Sequence, residues 1–428
     1  MSALPPRNLW LLSPHPESTS EGGLAVSGTQ KKKQSISLCI FIDALGWEIL
    51  KAHDFLSDEL VHTQPLDTIF GYSATCDPTI LTGLLPRDHG HFSFYAYDPE
   101  HSPFKRSPFI QLMRLVPKAL SSRNRVRSVA GKIIKRRLAY TGYFNIYNMP
   151  FRLLHLFDYT EKKDLYQQGG INSGKPTIMD YARDNKVDFF LANWKASEIE
   201  NLTNLRAAMM DDSRNCSFAY LYMASMDATL HQYGKVHSEV TKKIAWYEQQ
   251  IRELLAVARA HYQEVRMFVF SDHGMTNVHT DTDLMRVINA TGLKFGTDYA
   301  AVYDSTMARF WFLREGAEQR IRAALATVDS GDILDEQTMH AWGVDFPGKR
   351  YGDLFFLMKP GVLIVPSHMG ERTIAGMHGY SPQDVDSTAS FSTNVSLSEY
   401  PTRLDDLYTL MKQEIDRCKQ TAGKTSRK

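Results

Sequence analysis

Ser35-Ile36-Ser37-Leu38-Cys39-Ile40-Phe41-Ile42, closed by Asp43-Ala44-Leu45-Gly46, is the stretch that decides the fold. From Leu38 to Ile42 every residue is apolar, so no polar face is left for water. That is the signature of a strand in a parallel sheet covered by helices on both sides. Two later segments repeat the design. Phe218 to Met223 runs apolar and aromatic ahead of Asp227, and Met267-Phe268-Val269-Phe270 runs into Ser271-Asp272-His273-Gly274. Open α/β sheets bind ligands just beyond the C-terminal ends of their strands, where these acidic and imidazole side chains fall. Helical spacing of apolar residues between the strands, as in Val240 to His261, completes an α/β alternation. The predicted fold is a doubly wound, mostly parallel central sheet with helices on both faces.

A chain of 428 residues has room for one large α/β domain or two. Its formal net charge of +1 gives no argument for a specific nucleic-acid partner. Cys39, Cys76, Cys216 and Cys418 form no C-x-x-C pair, which disfavours a thiolate metal site or a disulfide framework. Residues 1–34 are rich in Ser, Pro and Gly, and their apolar run Leu9-Trp10-Leu11-Leu12 is too short for a signal core. No segment reaches the length needed to span a bilayer. The expected organisation is a flexible extension over 1–34, a catalytic domain over 35–415 and a basic tail over 416–428, in a cytoplasmic protein. A basic insertion at about 100–170 interrupts the alternation, with its cationic residues concentrated between 104 and 137. It is a cap that attracts an anionic substrate, a surface for anionic lipid or protein, or a solvated helical insertion.

Candidate metal ligands come in compact pairs. Asp227 and His231 are four residues apart and share a face if helical. Asp272 and His273 follow a buried strand directly, where the chain turns and both can reach one ion. His378 lies in Gly376-Met377-His378-Gly379-Tyr380, whose glycines allow close approach. Hard oxygen and imidazole donors converging in this way suit a pair of divalent cations.

The order Asp43, Ser73, Asp227/His231, Asp272/His273, His378 resembles the metal-and-nucleophile series of the alkaline phosphatase superfamily. Its type I phosphodiesterase/nucleotide pyrophosphatase branch is the most similar. That branch places a nucleophile ten residues before the Gly of a Thr-Gly, followed by Pro and His-Gly. Counting back from Thr82-Gly83, which precede Pro86 and His89-Gly90, lands on Ser73. Asp227, His231 and Gly234 match D-x-x-x-H-x-x-G, and Ser271 to Met275 match S-D-H-G-M. The resemblance implies one cation held by Asp43, Ser73, Asp272 and His273 and another by Asp227, His231 and His378. Both are expected to be Zn2+, with Mn2+ the alternative used by the related mutases. It further implies that Ser73 attacks phosphorus to give a phosphoseryl intermediate, with a helix over Pro78 to Leu84 directing N–H groups at the phosphoryl oxygens.

Three departures bear on substrate. Serine stands where the branch usually has threonine, which makes Thr75 the alternative nucleophile. Phe94 occupies the counted position of a phosphate-contacting Asn. Cys76-Asp77-Pro78-Thr79-Ile80 lacks the arginine of a sulfatase motif and is out of register with the nucleophile, which excludes a sulfatase. Tyr72, His89, Phe94 and Tyr95 are candidates to line the substrate site, their competing role being burial. The expected activity is hydrolysis of a small-molecule or headgroup phosphate ester. The alternatives are a phosphomonoesterase, a phosphoryl or headgroup transferase using the same site, and a metal-stabilised binding protein without turnover.

Overall fold

The computed structural model describes residues 32–105, 108–113, 115 and 123–425. The extension up to residue 31 and the basic residues Arg106, Arg114 and Lys118 lie outside the described residues. Along the chain the strands are β1 (Lys33–Ile42), β2 (His62–Leu66), β3 (Tyr95–Tyr97), β4 (Phe157–Tyr159), β5 (Phe189–Leu191), β6 (Phe218–Met223), β7 (Tyr262–Phe270) and β8 (Thr276–Asn277). There follow β9 (Thr280–Thr282), β10 (Tyr299–Tyr303), β11 (Met307–Phe312), β12 (Gly331–Ile333), β13 (Leu354–Met358), β14 (Val362–Ile364), β15 (Gly376–Met377) and β16 (Ala389–Thr393).

The central sheet has the order β2-β16-β7-β1-β6-β5. β5, β6, β1 and β7 are parallel, and β16 runs antiparallel to both β7 and β2. Because side chains alternate across a strand, β1 serves two cores at once. Ile36, Leu38, Ile40 and Ile42 enter one core with the helices Glu198–Met210 and Ser238–His261. Cys39 and Phe41 enter the other with the helices Ser73–Thr82, Ile178–Asp184 and Asp406–Thr425. This is why the strand reads as an unbroken apolar run. In register, Ile42 faces Met223 and Phe41 faces Phe270, so the three strands end level and release their polar continuations at one place.

Four boundaries differ from the sequence expectation. β1 starts at Lys33, inside the expected extension, because Lys33 pairs with Tyr262. The expected tail is helical as far as Thr425, since Ile415 and Cys418 are buried against the sheet. The helix expected over Pro78 to Leu84 begins at Ser73 instead; Pro78 sits within it, and neighbouring Thr79 and Thr82 give their hydroxyls to the carbonyls of Thr75 and Pro78. A second sheet, antiparallel in the order β10-β11-β13-β12, lies between residues 299 and 358, where no separate layer was expected.

That second sheet explains the basic insertion. Described residues between Tyr95 and Tyr159, among them Ile110 and Met113 of the helix Pro108–Met113 and Ala130 and Ile134 of the helix Asn124–Arg137, share a core with Ala300, Val302 and Trp311. Arg309 is wholly buried at the junction, bonded to Asp304, Ser93 and the carbonyls of Tyr95 and Tyr351. The insertion is therefore one half of a composite lobe.

Two glycine loops close the top of the sheet. A Cβ on Gly46 would overlap Gly274 Cα and lie 2.7 Å from the Thr388 carbonyl oxygen. Backbone on both sides leaves nothing that can rotate away. Gly46→Ala is expected to lower stability by about 3 kcal/mol, measured by urea unfolding; a loss below about 0.5 kcal/mol would show that the loops yield.

Candidate active site

Asp43 leaves β1 level with Met223, and its own N–H donates to the Met223 carbonyl at 3.0 Å. Ala44 takes a left-handed backbone conformation, φ 64°, which turns its N–H onto Asp272 Oδ1 at 3.2 Å. Thr68 holds the same loop by donating its hydroxyl to the Asp272 carbonyl at 2.6 Å. Asp227 and His231 lie on the helix Ser225–Tyr233, with His231 Nε2 3.2 Å from Asp227 Oδ1. His378 arrives from a different part of the chain. β15 pairs with β8, Gly376 opposite Asn277 and Met377 opposite Thr276, which sets His378 beside His273. The two imidazoles stack with centroids 3.7 Å apart and planes 9° apart.

His273 is the hub. Its Nε2 lies 3.1 Å from Asp272 Oδ2, 3.6 Å from Asp43 Oδ1 and 3.2 Å from Ser73 Oγ. Asp43, Asp272 and His273 present donor atoms within 4.8 Å of one another, as do Asp227, His273 and His378. His378 Nε2 is 3.5 Å from Asp227 Oδ1. All seven expected ligands are thus brought into one neighbourhood, with His273 touching both of the expected sets.

Three features test whether these residues suit cations. Asp43 Oδ1, Asp227 Oδ1, Asp272 Oδ2 and His378 Nδ1 are buried without a hydrogen-bond partner among the described residues. Orphaned buried oxygens of this kind are costly unless something positive meets them. The imidazoles are also oriented for ligation: Nδ1 of His231 lies 2.9 Å from the Gly376 carbonyl and Nδ1 of His273 lies 2.8 Å from that of Gly274. Donation from Nδ1 leaves Nε2 as the ring atom that faces the cluster, free to ligate once a cation displaces its proton. The donor set, carboxylate and imidazole without thiolate, fits divalent cations.

The charges are strained against each other. Burial pushes the Asp43 carboxyl well above its usual range, and Asp272 and Asp227 add to it by repulsion. For His273 burial disfavours the cation, yet Asp272 and Asp43 outweigh it and lift the pKa to about 10. Burial likewise opposes ionisation of Asp227, but His231 and His378 hold its carboxyl low. His378 is driven well below the ordinary imidazole value by burial and by His273.

The hydroxyls are not equivalent. Ser73 is half-buried at the first turn of its helix and faces His273. Thr75 is fully buried and gives its hydroxyl to the Phe92 carbonyl at 2.8 Å, away from the cluster. Of the residues expected to line the substrate site, Tyr72 turns its ring edge to His378 with centroids 5.7 Å apart and bonds Thr306 through its hydroxyl. Phe94 is half-buried and packs against Tyr143 and Tyr147. His89 and Tyr95 are buried elsewhere. Both ring nitrogens of His89 are engaged, by Thr79 and by the His91 N–H, and the Tyr95 hydroxyl bonds the carbonyls of Asn145 and Ile146.

Two residues of the cluster escaped the sequence reading. Tyr222 donates its hydroxyl to Asp43 Oδ2 at 2.6 Å. Asp77, one helical turn beyond Ser73, has a buried oxygen without a hydrogen-bond partner among the described residues; burial and then Asp272 raise its pKa strongly. Its i+4 spacing from Ser73 was the available signal.

The family model described as type I phosphodiesterase/nucleotide pyrophosphatase matches residues 38–381. The chain belongs to this family. No curated protein sequence matches the chain at a significant level. Among solved structures, murine ectonucleotide pyrophosphatase/phosphodiesterase 5, an inactive variant in complex with AMP, is similar with a TM-score of 0.62 and 15% identity. The human counterpart gives 0.61 and 13%. Each comparison covers 90% of this chain and 95% of the other. The fold is accordingly that of the alkaline phosphatase-like type I phosphodiesterases, and the protein is a phosphoric ester hydrolase of a metal-dependent family.

The crowding has a measurable signature in chelator-treated protein. Asp43 and Asp77 bind protons in the folded state that the unfolded chain has released, and His273 keeps a proton up to about pH 10. All three contribute stability at low pH that is lost as pH rises, the His273 part being complete below about 6.5 and gone above about 10. Stability should therefore fall from pH 6 to pH 10, and Asp43→Asn should raise it at pH 8 by about 1–3 kcal/mol. Denaturant unfolding reads both; a destabilised Asp43→Asn protein would show that repulsion is not what Asp43 carries.

Proposed function

We propose that the protein cleaves a phosphodiester or pyrophosphate bond through a phosphoseryl intermediate on Ser73. The observation that carries this reading is the position of Ser73 Oγ, 3.2 Å from His273 Nε2 at the start of a ten-residue helix. In the proposal Asp43, Ser73, Asp272 and His273 hold one divalent cation and Asp227, His231 and His378 the other, with zinc favoured over manganese. Bound there, the cations would supply Lewis acidity that makes the serine hydroxyl nucleophilic and neutralises charge on the phosphoryl group.

The chain supplies the rest. In the helix Ser73–Thr82 the N–H groups of Thr75 and Cys76 are taken by the Tyr72 carbonyl, so in the proposal it is those of Ser73 and Ala74, at the helix start, that bind non-bridging oxygens. This matters more here because Phe94 replaces the polar residue of the related enzymes. Ser73 Oγ gives up its proton and forms the new bond to phosphorus while the ester oxygen departs with the bonding pair and takes up a proton. Water then attacks phosphorus in the resulting Ser73-bound phosphodiester, one of its protons restores the serine hydroxyl, and the phosphate monoester is released. Tyr222 fixes Asp43, and the Gly274 and Gly376 carbonyls fix His273 and His231, so the constellation is pre-set before substrate arrives.

A nucleoside monophosphate ester is the substrate class to try first, since AMP is bound by the similar murine protein. The cytoplasm is the proposed compartment, which suits four buried, unpaired thiols.

Zinc-loaded protein should release p-nitrophenol from bis-p-nitrophenyl phosphate faster than from p-nitrophenyl phosphate. Ser73→Ala should lower kcat by roughly a thousandfold or more, and dialysis against chelator should abolish turnover. Retained activity in Ser73→Ala would remove the phosphoseryl mechanism. Preference for the monoester would make the enzyme a phosphomonoesterase, and an alkyl phosphate formed in added alcohol would point to transfer.

A further inference from the structure

The composite lobe carries a surface unrelated to the hydrolytic site. Between Glu100 and Asp158 the chain has no acidic residue and twelve of its 49 Lys and Arg, so the remainder is net acidic. Part of this charge is structural. Arg127 donates to the carbonyls of Tyr147 and Met149, and Lys135 to that of Gly142.

Other described cations of this stretch face water. The helix Asn124–Arg137 turns Ala130 and Ile134 inward to the lobe core and exposes Arg125, Val129, Lys132 and Arg136. Their spacing of four, three and four residues makes one continuous stripe along the helix. Arg123 and Arg137 are exposed at its two ends. None of these five cations forms an ion pair among the described residues. Arg137 lies 5.7 Å over the Phe109 ring, which joins the stripe to the helix Pro108–Met113. There Leu112 is 63% exposed, Leu115 just beyond it 79%, and Val129 within the stripe 58%.

Unpaired cations intermixed with exposed aliphatic side chains match the two phases of a bilayer interface, anionic headgroups above and acyl chains below. A nucleic acid would neutralise the cations but offers nothing to the leucines. We propose that this face, built from Arg125, Val129, Lys132, Arg136, Leu112 and Leu115, docks the protein on an anionic lipid bilayer. The proposal does not depend on the catalytic reading, because docking involves none of the residues around His273.

Sedimentation of the full chain with vesicles tests it. Binding is expected to phosphatidylcholine vesicles containing phosphatidylglycerol, to weaken with added salt, and to be absent with phosphatidylcholine alone. Each neutralised cation should cost about fivefold in partitioning, so Arg125→Gln/Lys132→Gln/Arg136→Gln together should cost on the order of a hundredfold. Leu112→Ser/Leu115→Ser should weaken vesicle binding as well. Both variants change only exposed side chains and should keep wild-type melting and ester hydrolysis. Failure of the wild type to bind anionic vesicles at low salt overturns the proposal. So does binding that the triple variant leaves unchanged, or tighter binding to duplex DNA that ignores the leucine changes.

Discussion

Carboxylates that cannot all be ionised without company are the constraint on which this structure turns. Asp43, Asp227 and Asp272 are gathered where three parallel strands end or the next helix starts, with Asp77 one helical turn behind Ser73. In so little water their mutual repulsion is not screened, and each orphaned oxygen is a cost the fold must offset elsewhere. The offset comes from the two-sided core of β1, whose alternate residues anchor separate helical layers. A sheet clamped from both faces can hold unfavourable charge still, and stillness is what a pre-set phosphoryl-transfer site requires.

The same constraint explains the hydrogen bonds around the site. Tyr222, Ala44, Thr68 and the Gly274 and Gly376 carbonyls each bind one atom of a ligand residue. None of them removes the charge. They fix its direction, so that imidazole Nε2 atoms and carboxylate oxygens face a common volume while their other atoms are satisfied by protein. Ser73, the proposed nucleophile, enters this volume from a helix start, where the backbone itself is electropositive.

Much of this was legible because it is local. β1, β6 and β7 announce themselves as short apolar runs ended by acids, and Asp227 and His231 announce a helix face. What was illegible depends on pairing across long stretches of chain. β10, β11 and β13 are apolar enough to read as strands and β12, Gly331-Asp332-Ile333, is not, and nothing in them says that they form a separate antiparallel layer. His378 could be placed by resemblance but not by spacing, since a two-residue pairing with β8 delivers it. His89 and Tyr95 follow Ser73 closely in sequence and still turn inward, because His89 finds Thr79 and the His91 N–H and Tyr95 finds carbonyls of the composite lobe. Thr75 and Ser73 differ by two residues, and on a helix that is enough to aim one hydroxyl at the core and the other at the cluster. Pro78 drew the helix start too late, as proline more often opens a helix than continues one.

The pairing of β8 with β15 has a consequence for how such a protein can change. The chain departs at Asn277 and comes back at Gly376, and these two residues are register partners. Everything between them, including the second sheet, is an excursion whose two ends meet. A segment anchored in that way can be lengthened, shortened or exchanged at little entropic cost to the parent fold. The expected ligands lie outside it: Asp43 directly after β1, Ser73 at the start of its helix, Asp227 and His231 on the helix after β6, and Asp272, His273 and His378 shortly before and after the excursion. The excursion shares a core with residues of 95–159, so a change of substrate preference by this route rewrites the two stretches together, leaving the frame that carries Asp43, Asp227 and Asp272 in place. Grafting both stretches between relatives is the corresponding route for the engineer.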